Sequence, residues 1–322
     1  MTNTETVELT GVDIPAPASG EVLVESAYTC ISPGTELRCW AGRQPNPIPH
    51  PFVPGYAMSG TVVACGPDAA LAEGARVICK GTQRADVNLQ WGGHVRHAVV
   101  AAADLVPIPE DVDMLSAAAV KLAAIAYHGV RLSRPQPHER VLVVGLGPIG
   151  HLSALAHAAS GAHVVAVDLS EARAAPVRAR GVDARALRGS LAETLADEAP
   201  PGFVVVVDAT GRPGAIDDVI AMARELPWDN ALTPAPRYVI QGSYADRFSL
   251  PPLAAFEKEL SFLMPRDHQR RDIEAVLSLV ERGKLDLGAL TADVQDPADA
   301  QRIYEQLRGA KEDILTTVLR WS

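Results

Sequence analysis

The chain has 322 residues, which is more than one ordinary hydrophobic core holds and suits two domains. Its net charge of −10 argues against a protein that binds nucleic acid through the phosphate backbone. No apolar run reaches membrane-spanning length, and the start MTNTETVELTG lacks the basic and apolar regions of a signal peptide, so we expect a cytoplasmic protein.

The first third of the chain has the pattern of β structure. Short β-rich runs stand between Gly, Pro and Asp turns: EVLVESAYTCI, SGTVVACG, ARVICKG and HVRHAVVAAADLVPI. This spacing predicts a compact, barrel-like β domain. Within it, the stretch FVPGYAMSG places Tyr56 among small residues after a Pro-Gly turn. The pattern alone leaves open whether this side chain packs or takes part in chemistry.

After residue 113 the pattern changes to helices alternating with strands. MLSAAAVKLAAIAYHGVRL predicts a buried helix, and RVLVVGLGPIGHLSALAHAASGAHVVAVDLS predicts a strand, a turn, a helix and a second strand. Two apolar strands, GFVVVVDATG and RYVIQGSY, follow, with LSFLMP as a possible edge strand. RRDIEAVLSLVERGKL predicts an amphipathic helix and ILTTVLRW a last strand. The alternation predicts an α/β fold with a parallel sheet.

A glycine motif, GLGPIG at Gly145–Gly150, stands between a predicted strand and a predicted helix, which is the context that a dinucleotide-binding turn requires. Gly145 permits the tight turn, Gly147 lets the backbone approach a pyrophosphate, and Gly150 lets helix and strand pack closely. The helix N-terminus supplies N–H donors and a favourable dipole for the phosphates. The sequence therefore predicts a Rossmann-type domain.

Asp168 ends the second strand of that domain. A carboxylate there accepts hydrogen bonds from the ribose hydroxyls and repels a 2′-phosphate, and the first basic residue after it is Arg173. We therefore expect NAD rather than NADP. The residues expected to bind the cofactor are Gly145, Gly147, Pro148, Ile149, Gly150, Asp168, Leu169, Arg173, Ala209, Thr210, Gly211, Gly242, Ser243 and Tyr244.

Several segments together resemble the medium-chain dehydrogenase/reductase superfamily over nearly the whole chain: ISPGTEL, FVPGYAMSG, GGHVRHAVV, AAAVKLAAIAYHGV, VLVVGLGPIG, VVDATG and VERGKLDLGALTADV. The resemblance implies a GroES-like, β-rich catalytic domain formed by residues 1–121 and 265–322. It implies a Rossmann NAD-binding domain at 122–264, with a doubly wound parallel sheet. It also implies an oxidoreductase that binds a small-molecule substrate between the domains and forms a homodimer.

Many members of this superfamily bind a catalytic zinc, and this chain departs from their pattern at all three ligand positions. The loop that carries the first ligand reads Cys30–Glu36 here, one residue longer, with Ser32 or Pro33 at the cysteine position. The G-H-E motif has become Gly55–Ala57, and Lys121 matches the third ligand. A hydroxyl, a phenol and an ammonium form a poor zinc site at neutral pH.

The cysteines also argue against a metal. They are scattered, with no C-x-x-C pair, at Cys30, Cys39, Cys65 and Cys79. CKGTQRADVNLQWGG occupies the place of the superfamily's four-cysteine zinc lobe. We therefore expect a zinc-independent member with no metal site.

The resemblance implies that Ser32, Tyr56 and Lys121 converge on the vacated metal site. A nearby ammonium lowers the pKa of a phenol, so Tyr56 would exchange a proton with the substrate oxygen during hydride transfer. Lys121 has separate support, because a lysine inside AAAVKLAAIA is costly to bury without a partner. The alternatives are a lysine that reaches the surface along its helix, a packing tyrosine and a turn serine.

Two further positions complete the catalytic candidates. Thr35 matches the superfamily's Ser/Thr that contacts the substrate oxygen, and a turn hydroxyl is the alternative. His94 matches a position that lines the substrate pocket, where it would indicate a polar substrate or a second proton carrier; a histidine at a domain seam is the alternative. The candidates are Tyr56, Lys121, Ser32, Thr35 and His94.

Three functions remain open at this stage. The first is a metal-free, NAD(H)-dependent oxidoreductase that interconverts a secondary alcohol and a ketone, on a polyol, sugar or cyclitol-like substrate. The second is a zinc-free enoyl reductase, or a biosynthetic dehydrogenase of the bacteriochlorophyllide dehydrogenase type, which ISPGTE, VPGY and DATGRPGAID resemble. The third is a cofactor-binding protein without turnover.

Overall fold

The computed structural model describes residues 1–198, 202–229, 233–244, 247–309 and 314–322, and the chain forms two compact units. The first unit comprises Met1–Leu122, Ile273–Gly283 and Leu287–Ser322. The second comprises Ala123–Asp272 and Lys284–Asp286. Both ends of the chain therefore belong to the first unit.

The elements are numbered in chain order. The strands are β1 Glu21–Cys30, β2 Phe52–Val53, β3 Met58–Cys65, β4 Arg76–Cys79, β5 Asn88–Leu89, β6 His97–Ala101, β7 Val106–Pro107, β8 Arg140–Val144, β9 His163–Asp168, β10 Asp183–Ala186, β11 Val205–Asp208, β12 Arg237–Ile240, β13 Ser261–Leu263, β14 Val294–Gln295 and β15 Val318–Arg320. The helices are α1 Pro33–Trp40, α2 Met114–Ser133, α3 Pro148–Ala159, α4 Glu171–Arg178, α5 Leu191–Thr194, α6 Ile216–Ala221, α7 Pro252–Glu257, α8 Arg270–Glu281 and α9 Ala300–Gly309.

A seven-stranded sheet forms the centre of the first unit. Its order is β14-β15-β1-β3-β4-β7, and β6 also pairs with β1. Strand β1 alternates in burial, so that Val22 and Val24 face a core shared with Met58, Val77 and Val100. The predicted β-rich domain is confirmed, and β15 supplies the predicted last strand.

One element of this unit differs from the sequence expectation. The segment Cys30–Glu36 was expected to be a loop, but helix α1 begins inside it at Pro33. Proline is favourable at the first helical position, because the N–H that it lacks has no partner within the helix. The N-cap is Ser32, whose N–H donates to Glu36 Oε1 at 2.7 Å. The segment expected to be a loop therefore contains the start of a helix.

Helix α1 packs with the C-terminal helix α9. An apolar cluster joins them, in which Ile31 and Trp40 lie with Ile303, Tyr304 and Leu307. These three α9 residues are buried and recur at helical spacing. The packing brings the side chain of Tyr304 to the residues at the start of α1.

The second unit contains a six-stranded parallel sheet in the order β10-β9-β8-β11-β12-β13. The inner strands β8, β11 and β12 are short and largely buried, as expected for a parallel sheet covered on both faces. The order reverses between β8 and β11, and doubly wound sheets bind their ligands outside the carboxyl ends of the strands at such a point. The predicted α/β class is confirmed, and LSFLMP contains the edge strand β13.

No helix among the described residues is long and apolar enough to cross a membrane.

Candidate active site

Three hydroxyl groups meet at the start of helix α1. The phenol of Tyr56 donates a hydrogen bond to Ser32 Oγ at 2.6 Å, and Thr35 Oγ1 lies 3.5 Å from the same phenol oxygen. Ser32 and Thr35 lie at the N-terminus of α1, and Tyr56 lies just before β3. Two segments that are separate in the sequence thus place their hydroxyls within one small region of the first unit.

Lys121 joins this group from helix α2. Its Nζ lies 5.6 Å from the centroid of the Tyr56 ring, and the residue is only 5% exposed. Trp91 contacts the same ring edge-to-face, with the centroids 5.1 Å apart. An ammonium near the face of an aromatic ring is attracted by the ring's charge distribution. We call Ser32, Thr35, Tyr56 and Lys121 the Tyr56 cluster.

His94 does not join the Tyr56 cluster by a hydrogen bond that the structure records. Its Nε2 lies 2.8 Å from Glu36 Oε2 and its Nδ1 lies 2.8 Å from Thr29 Oγ1. Glu36 is fully buried and also accepts a hydrogen bond from the hydroxyl of Tyr304 at 2.5 Å. Both ring nitrogens of His94 therefore have partners within the first unit.

Tyr304 was not singled out from the sequence. Burial raises the pKa of its phenol well above the usual value of 10, and the charge and hydrogen bond of Glu36 raise it further. Tyr304 is therefore a fixed donor to Glu36 at any ordinary working pH. In the sequence Tyr304 is one apolar position of an amphipathic helix, which gives no sign of its polar partner.

The described residues contain no group of three or more His, Cys, Asp or Glu side chains arranged to hold a metal ion. All four cysteines are free thiols. Burial raises the pKa of Cys30, Cys39 and Cys79 to about 12, and a protonated thiol is a poor metal ligand.

A cavity of about 920 Å³ opens within the first unit. Its lining is largely apolar and includes Phe52, Val95 and His94. Within the part of the chain that the structure describes, no side chain of the Tyr56 cluster lines it. Size alone therefore does not make this cavity the site of chemistry.

The glycine turn of the second unit fits a dinucleotide. Gly145 has φ +88°, and a Cβ at Gly150 would lie 1.7 Å from the carbonyl oxygen of Gly145, so both positions require glycine. A Cβ at Gly147 would have only Arg173 Nη1 nearby, at 3.9 Å, which leaves space beside the turn. Helix α3 begins at Pro148 with no side chain capping its N–H groups. Such a helix start binds phosphate well.

Asp168 stands at the end of β9, as predicted from its position in the sequence, and it also braces the glycine turn. Its Oδ2 accepts a hydrogen bond from Leu146 N at 2.5 Å, and its Oδ1 accepts one from Ser170 N at 2.9 Å. Arg173 Nη1 lies 3.9 Å from Asp168 Oδ2. Leu169, also among the predicted cofactor residues, is 69% exposed. A guanidinium and a carboxylate thus stand together beside the turn.

The other predicted cofactor residues follow β11 and β12, two neighbouring strands. A buried carboxylate missed by sequence reasoning, Asp208, connects them. The hydroxyls of Tyr238 and Tyr244 donate to its Oδ2 at 2.7 and 2.5 Å, and Thr210 donates to its Oδ1 through its N–H and its hydroxyl. Burial, with the hydrogen bond to Asp208, raises the pKa of Tyr244. Its phenol therefore stays protonated and bonded to Asp208.

The loops that follow these strands also pack closely. A Cβ at Gly242 would lie 2.5 Å from Gly211 N, so the two backbones touch. The structure thus brings Ala209–Gly211 and Gly242–Tyr244 together at the carboxyl end of the sheet.

Comparison with known proteins agrees with this architecture. Residues 18–110 match the alcohol dehydrogenase GroES-like domain. The 2-desacetyl-2-hydroxyethyl bacteriochlorophyllide A dehydrogenase of Rhodobacter capsulatus is 29% identical over 95% of this chain and 91% of its own length. The L-galactonate-5-dehydrogenase of Escherichia coli K12 is 28% identical over 85% of this chain and 84% of its own length.

A solved structure has the same fold. It is an alcohol dehydrogenase from Escherichia coli CFT073 in complex with NADH, which superimposes with a TM-score of 0.80 at 21% identity and covers 96% of this chain and 94% of its own. The GroES-like match, the Rossmann-type sheet and these relatives agree. The chain is therefore an oxidoreductase, and it is similar to members of the medium-chain dehydrogenase/reductase superfamily.

Proposed function

We propose that the protein interconverts a secondary alcohol and a ketone with NAD(H) and without a metal. The observation that carries the proposal is the Tyr56 phenol, which lies 2.6 Å from Ser32 Oγ with the Lys121 ammonium 5.6 Å from its ring centroid. These are the three positions at which many relatives are expected to hold zinc. In the proposal, the first unit is the catalytic domain and the second unit is the cofactor domain.

The cofactor, when bound, accepts or donates the hydride. The N–H groups at the start of α3 would hold its pyrophosphate in the space beside Gly147. Asp168 would accept hydrogen bonds from the ribose hydroxyls, since a carboxylate has lone pairs beyond the two used by Leu146 N and Ser170 N. Ala209–Gly211 and Gly242–Tyr244 would contact the bound cofactor at the carboxyl ends of β11 and β12.

The Tyr56 cluster exchanges the proton with the substrate oxygen. In the direction of alcohol oxidation, the phenolate form of Tyr56 takes the hydroxyl proton of the substrate, and in reduction the phenol gives it back. The positive charge of Lys121 stabilises the phenolate form. Ser32 and Thr35 hold the substrate oxygen and the phenol oxygen at hydrogen-bond distance, which confines the proton transfer to one geometry.

The relatives support a substrate that carries a secondary alcohol. The name of the Rhodobacter relative contains a hydroxyethyl group, and the name of the Escherichia coli relative specifies carbon 5 of galactonate. Each is a site at which oxidation of a secondary alcohol gives a ketone. The polar cluster favours a polyol, sugar or cyclitol-like substrate.

The second candidate is a biosynthetic dehydrogenase of the bacteriochlorophyllide type. The 29% identity over 95% of the chain favours it. It would use the same chemistry on a much larger and more apolar substrate, so the two candidates differ in the substrate and not in the roles of the Tyr56 cluster.

The proposal includes a cytoplasmic homodimer that binds no nucleic acid and no membrane. Four free thiols suit a reducing compartment. Near the edge strand β13, the second unit exposes apolar side chains that a second copy would cover: Trp228, Leu253, Phe256 and Met264. Light scattering at micromolar concentration tests the dimer, and a clean monomer contradicts it.

A turnover screen tests the function. Absorbance of the reduced cofactor is followed with xylitol, galactonate, myo-inositol, 2,3-butanediol and a hydroxyethyl-substituted chlorin, and with an enone in the reductive direction. Tyr56→Phe should lower kcat about a hundredfold or more on any alcohol that reacts, as expected for loss of a general acid–base group. No turnover on the panel would favour a binding protein, and turnover of the enone alone would favour an enoyl reductase.

A further inference from the structure

A buried carboxylate, that of Glu36, directly follows Thr35 in helix α1 and has no part in the reaction proposed above. Its Oε1 accepts the N–H of Ser32 at 2.7 Å. Its Oε2 lies 2.8 Å from His94 Nε2 and accepts the hydroxyl of Tyr304 at 2.5 Å. The two oxygens therefore face different partners, and one of those partners is a member of the Tyr56 cluster.

The hydrogen-bond network assigns the protons of His94. An ionised carboxylate only accepts, so His94 Nε2 carries a hydrogen and donates it to Glu36. Thr29 Oγ1 accepts the indole N–H of Trp321 at 2.9 Å and lies 2.8 Å from His94 Nδ1. The Thr29 hydroxyl can donate its own hydrogen to that nitrogen. With Nδ1 accepting from Thr29 and Nε2 donating to Glu36, both ring nitrogens of His94 have partners, and neither remains for a substrate oxygen.

The ring of His94 also supports the backbone next to Tyr56. Gly55 has φ +83°, and a Cβ there would lie 2.7 Å from the imidazole. A Cβ at Gly93 would lie 2.6 Å from Tyr56 N. Gly55 is thus in direct contact with the His94 ring, and Gly93 is in direct contact with the backbone nitrogen of Tyr56. Only glycine allows so close an approach at these two positions.

We propose that Glu36, acting with His94 and Tyr304, is a positioning residue that holds Ser32 and Tyr56 at reacting distance. One carboxylate oxygen fixes Ser32 through its N–H. The other fixes His94, whose ring supports the backbone at Gly55. Tyr304 ties this assembly to helix α9. The proposal rests on the proposed function, because it assumes that the Ser32 and Tyr56 hydroxyls act on the substrate oxygen.

The arrangement requires a carboxylate. The amide in Glu36→Gln accepts hydrogen bonds at one atom only, so its NH₂ group must face either the Ser32 N–H or the donors from His94 and Tyr304. The amide NH₂ and the N–H or O–H group that it faces are both donors, so they repel each other in this buried site. The start of α1 should therefore move. Tyr304→Phe removes one hydrogen bond and keeps the ring, so it is the milder variant.

The experiment combines crystal structures with a double-mutant cycle. Glu36→Gln should lower kcat about tenfold on the best alcohol of the screen and leave the Kd for NAD unchanged. On the Tyr56→Phe background the same change should have almost no further effect, because residues that act on one proton are not additive. In the Glu36→Gln crystal structure, the Ser32–Tyr56 oxygen separation should exceed about 3.5 Å.

A matched control is Thr317→Val. The hydroxyl of Thr317, a buried residue, donates to Asp293 Oδ2 at 2.6 Å in the same unit, as Tyr304 does to Glu36. Tyr304→Phe should lower kcat and Thr317→Val should not, although both remove a hydroxyl–carboxylate bond. Glu36→Asp, which keeps the charge, should restore part of the rate lost in Glu36→Gln.

The results distinguish the positioning proposal from the proposed function. If the Glu36→Gln and Tyr56→Phe losses multiply, or if the 2.6 Å separation persists in the Glu36→Gln crystal, positioning is wrong while the proposed function stands. If Tyr56→Phe turns over at the parent rate, the proposed function is wrong, and the crystal separation still decides the positioning proposal. If Glu36→Gln does not fold, Tyr304→Phe against Thr317→Val provides the same comparison.

Discussion

Glu36 and Tyr304 are 268 positions apart in the sequence, yet the hydroxyl of one donates to the carboxylate of the other at 2.5 Å. The bond joins the helix that carries Ser32 and Thr35 to the C-terminal helix α9. The return of the chain to the first unit therefore contributes a polar group beside the candidate active site as well as a strand to its sheet.

Cofactor choice should follow the charge of Asp168. We expect NAD to bind at least about tenfold more tightly than NADP, because the carboxylate repels a 2′-phosphate. Asp168→Asn removes the charge and keeps one oxygen acceptor, which can take the Leu146 N–H while the Ser170 N–H loses its partner, and the preference for NAD should shrink. Calorimetric titration of both cofactors gives the two Kd values.

A change at Arg173 should alter the cofactor preference in the opposite direction to Asp168→Asn. Its guanidinium lies 3.9 Å from Asp168 Oδ2 and would attract a phosphate. Arg173→Ala should weaken NADP more than NAD and so widen the difference. Equal affinities for the two cofactors in the parent protein would mean that Asp168 does not face the ribose.

The local parts of the site could be predicted from the sequence. The turn at Gly145–Gly150, its flanking strand and helix, and Asp168 lie within one short stretch, and the positive φ of Gly145 and the close approach of Gly150 to Gly145 each require glycine. The Glu36–Tyr304 bond lacked any such signal, because neither residue's neighbours indicate a partner at the other end of the chain.

Two other features were missed for different reasons. Helix α1 was expected to be a loop because the resemblance places the loop of the first zinc ligand there, and only the packing of its apolar residues on α9 reveals a helix. Asp208 stands in the VVDATG segment, in which only the small residues after it were predicted to bind the cofactor. Its role depends on the hydroxyls of Tyr238 and Tyr244, which belong to the next strand and its loop.

Metal removal should leave the protein active. By the resemblance, the positions of the zinc ligands hold Ser32 or Pro33, Tyr56 and Lys121, whose side chains bind zinc poorly at neutral pH. After dialysis against a strong chelator, elemental analysis should find far less than one zinc per chain, with kcat unchanged. A zinc-dependent alcohol dehydrogenase treated in parallel is the control and should lose activity. One tightly held zinc per chain would contradict the expectation.

The charge of Lys121 should matter more than its bulk. Lys121→Met keeps the length of the side chain without the ammonium that lies 5.6 Å from the Tyr56 ring centroid, and we expect kcat to fall about tenfold or more. Lys80→Met, at an exposed lysine of the same unit, is the matched control and should leave kcat unchanged.

In the proposed reaction, Lys121 and Tyr56 both act on the proton that is exchanged with the substrate oxygen. The losses in Lys121→Met and Tyr56→Phe should therefore be less than additive when the two changes are combined. A full parent rate in Lys121→Met would make the lysine a packing residue, and strictly additive losses would separate it from the tyrosine.

Stability should fall in mild acid because two histidines of helix α3 are buried. Burial lowers the pKa of His151 and of His157 from 6.5 to about 4, and neither Nδ1 nor Nε2 of His151 has a hydrogen-bond partner in the described part of the chain. The unfolded chain takes up a proton at each ring as the pH falls below 6.5, and the folded chain does so only near pH 4. These histidines should therefore leave the free energy of unfolding undiminished above pH 6.5 and lower it progressively between pH 6.5 and about pH 4.

Urea unfolding at a series of pH values measures this decline. His151→Met replaces an unpartnered imidazole by an apolar chain of similar length, so it should flatten the acid limb and leave stability at pH 7.5 equal or higher. His163→Gln, at an exposed position of the same unit, should leave the curve as in the parent protein. Depressed histidine pKa values contribute on the order of 3 kcal/mol each at most, at about 1.4 kcal/mol per pKa unit. An acid limb of the same slope in His151→Met and the parent would mean that the ring is solvated in the folded protein.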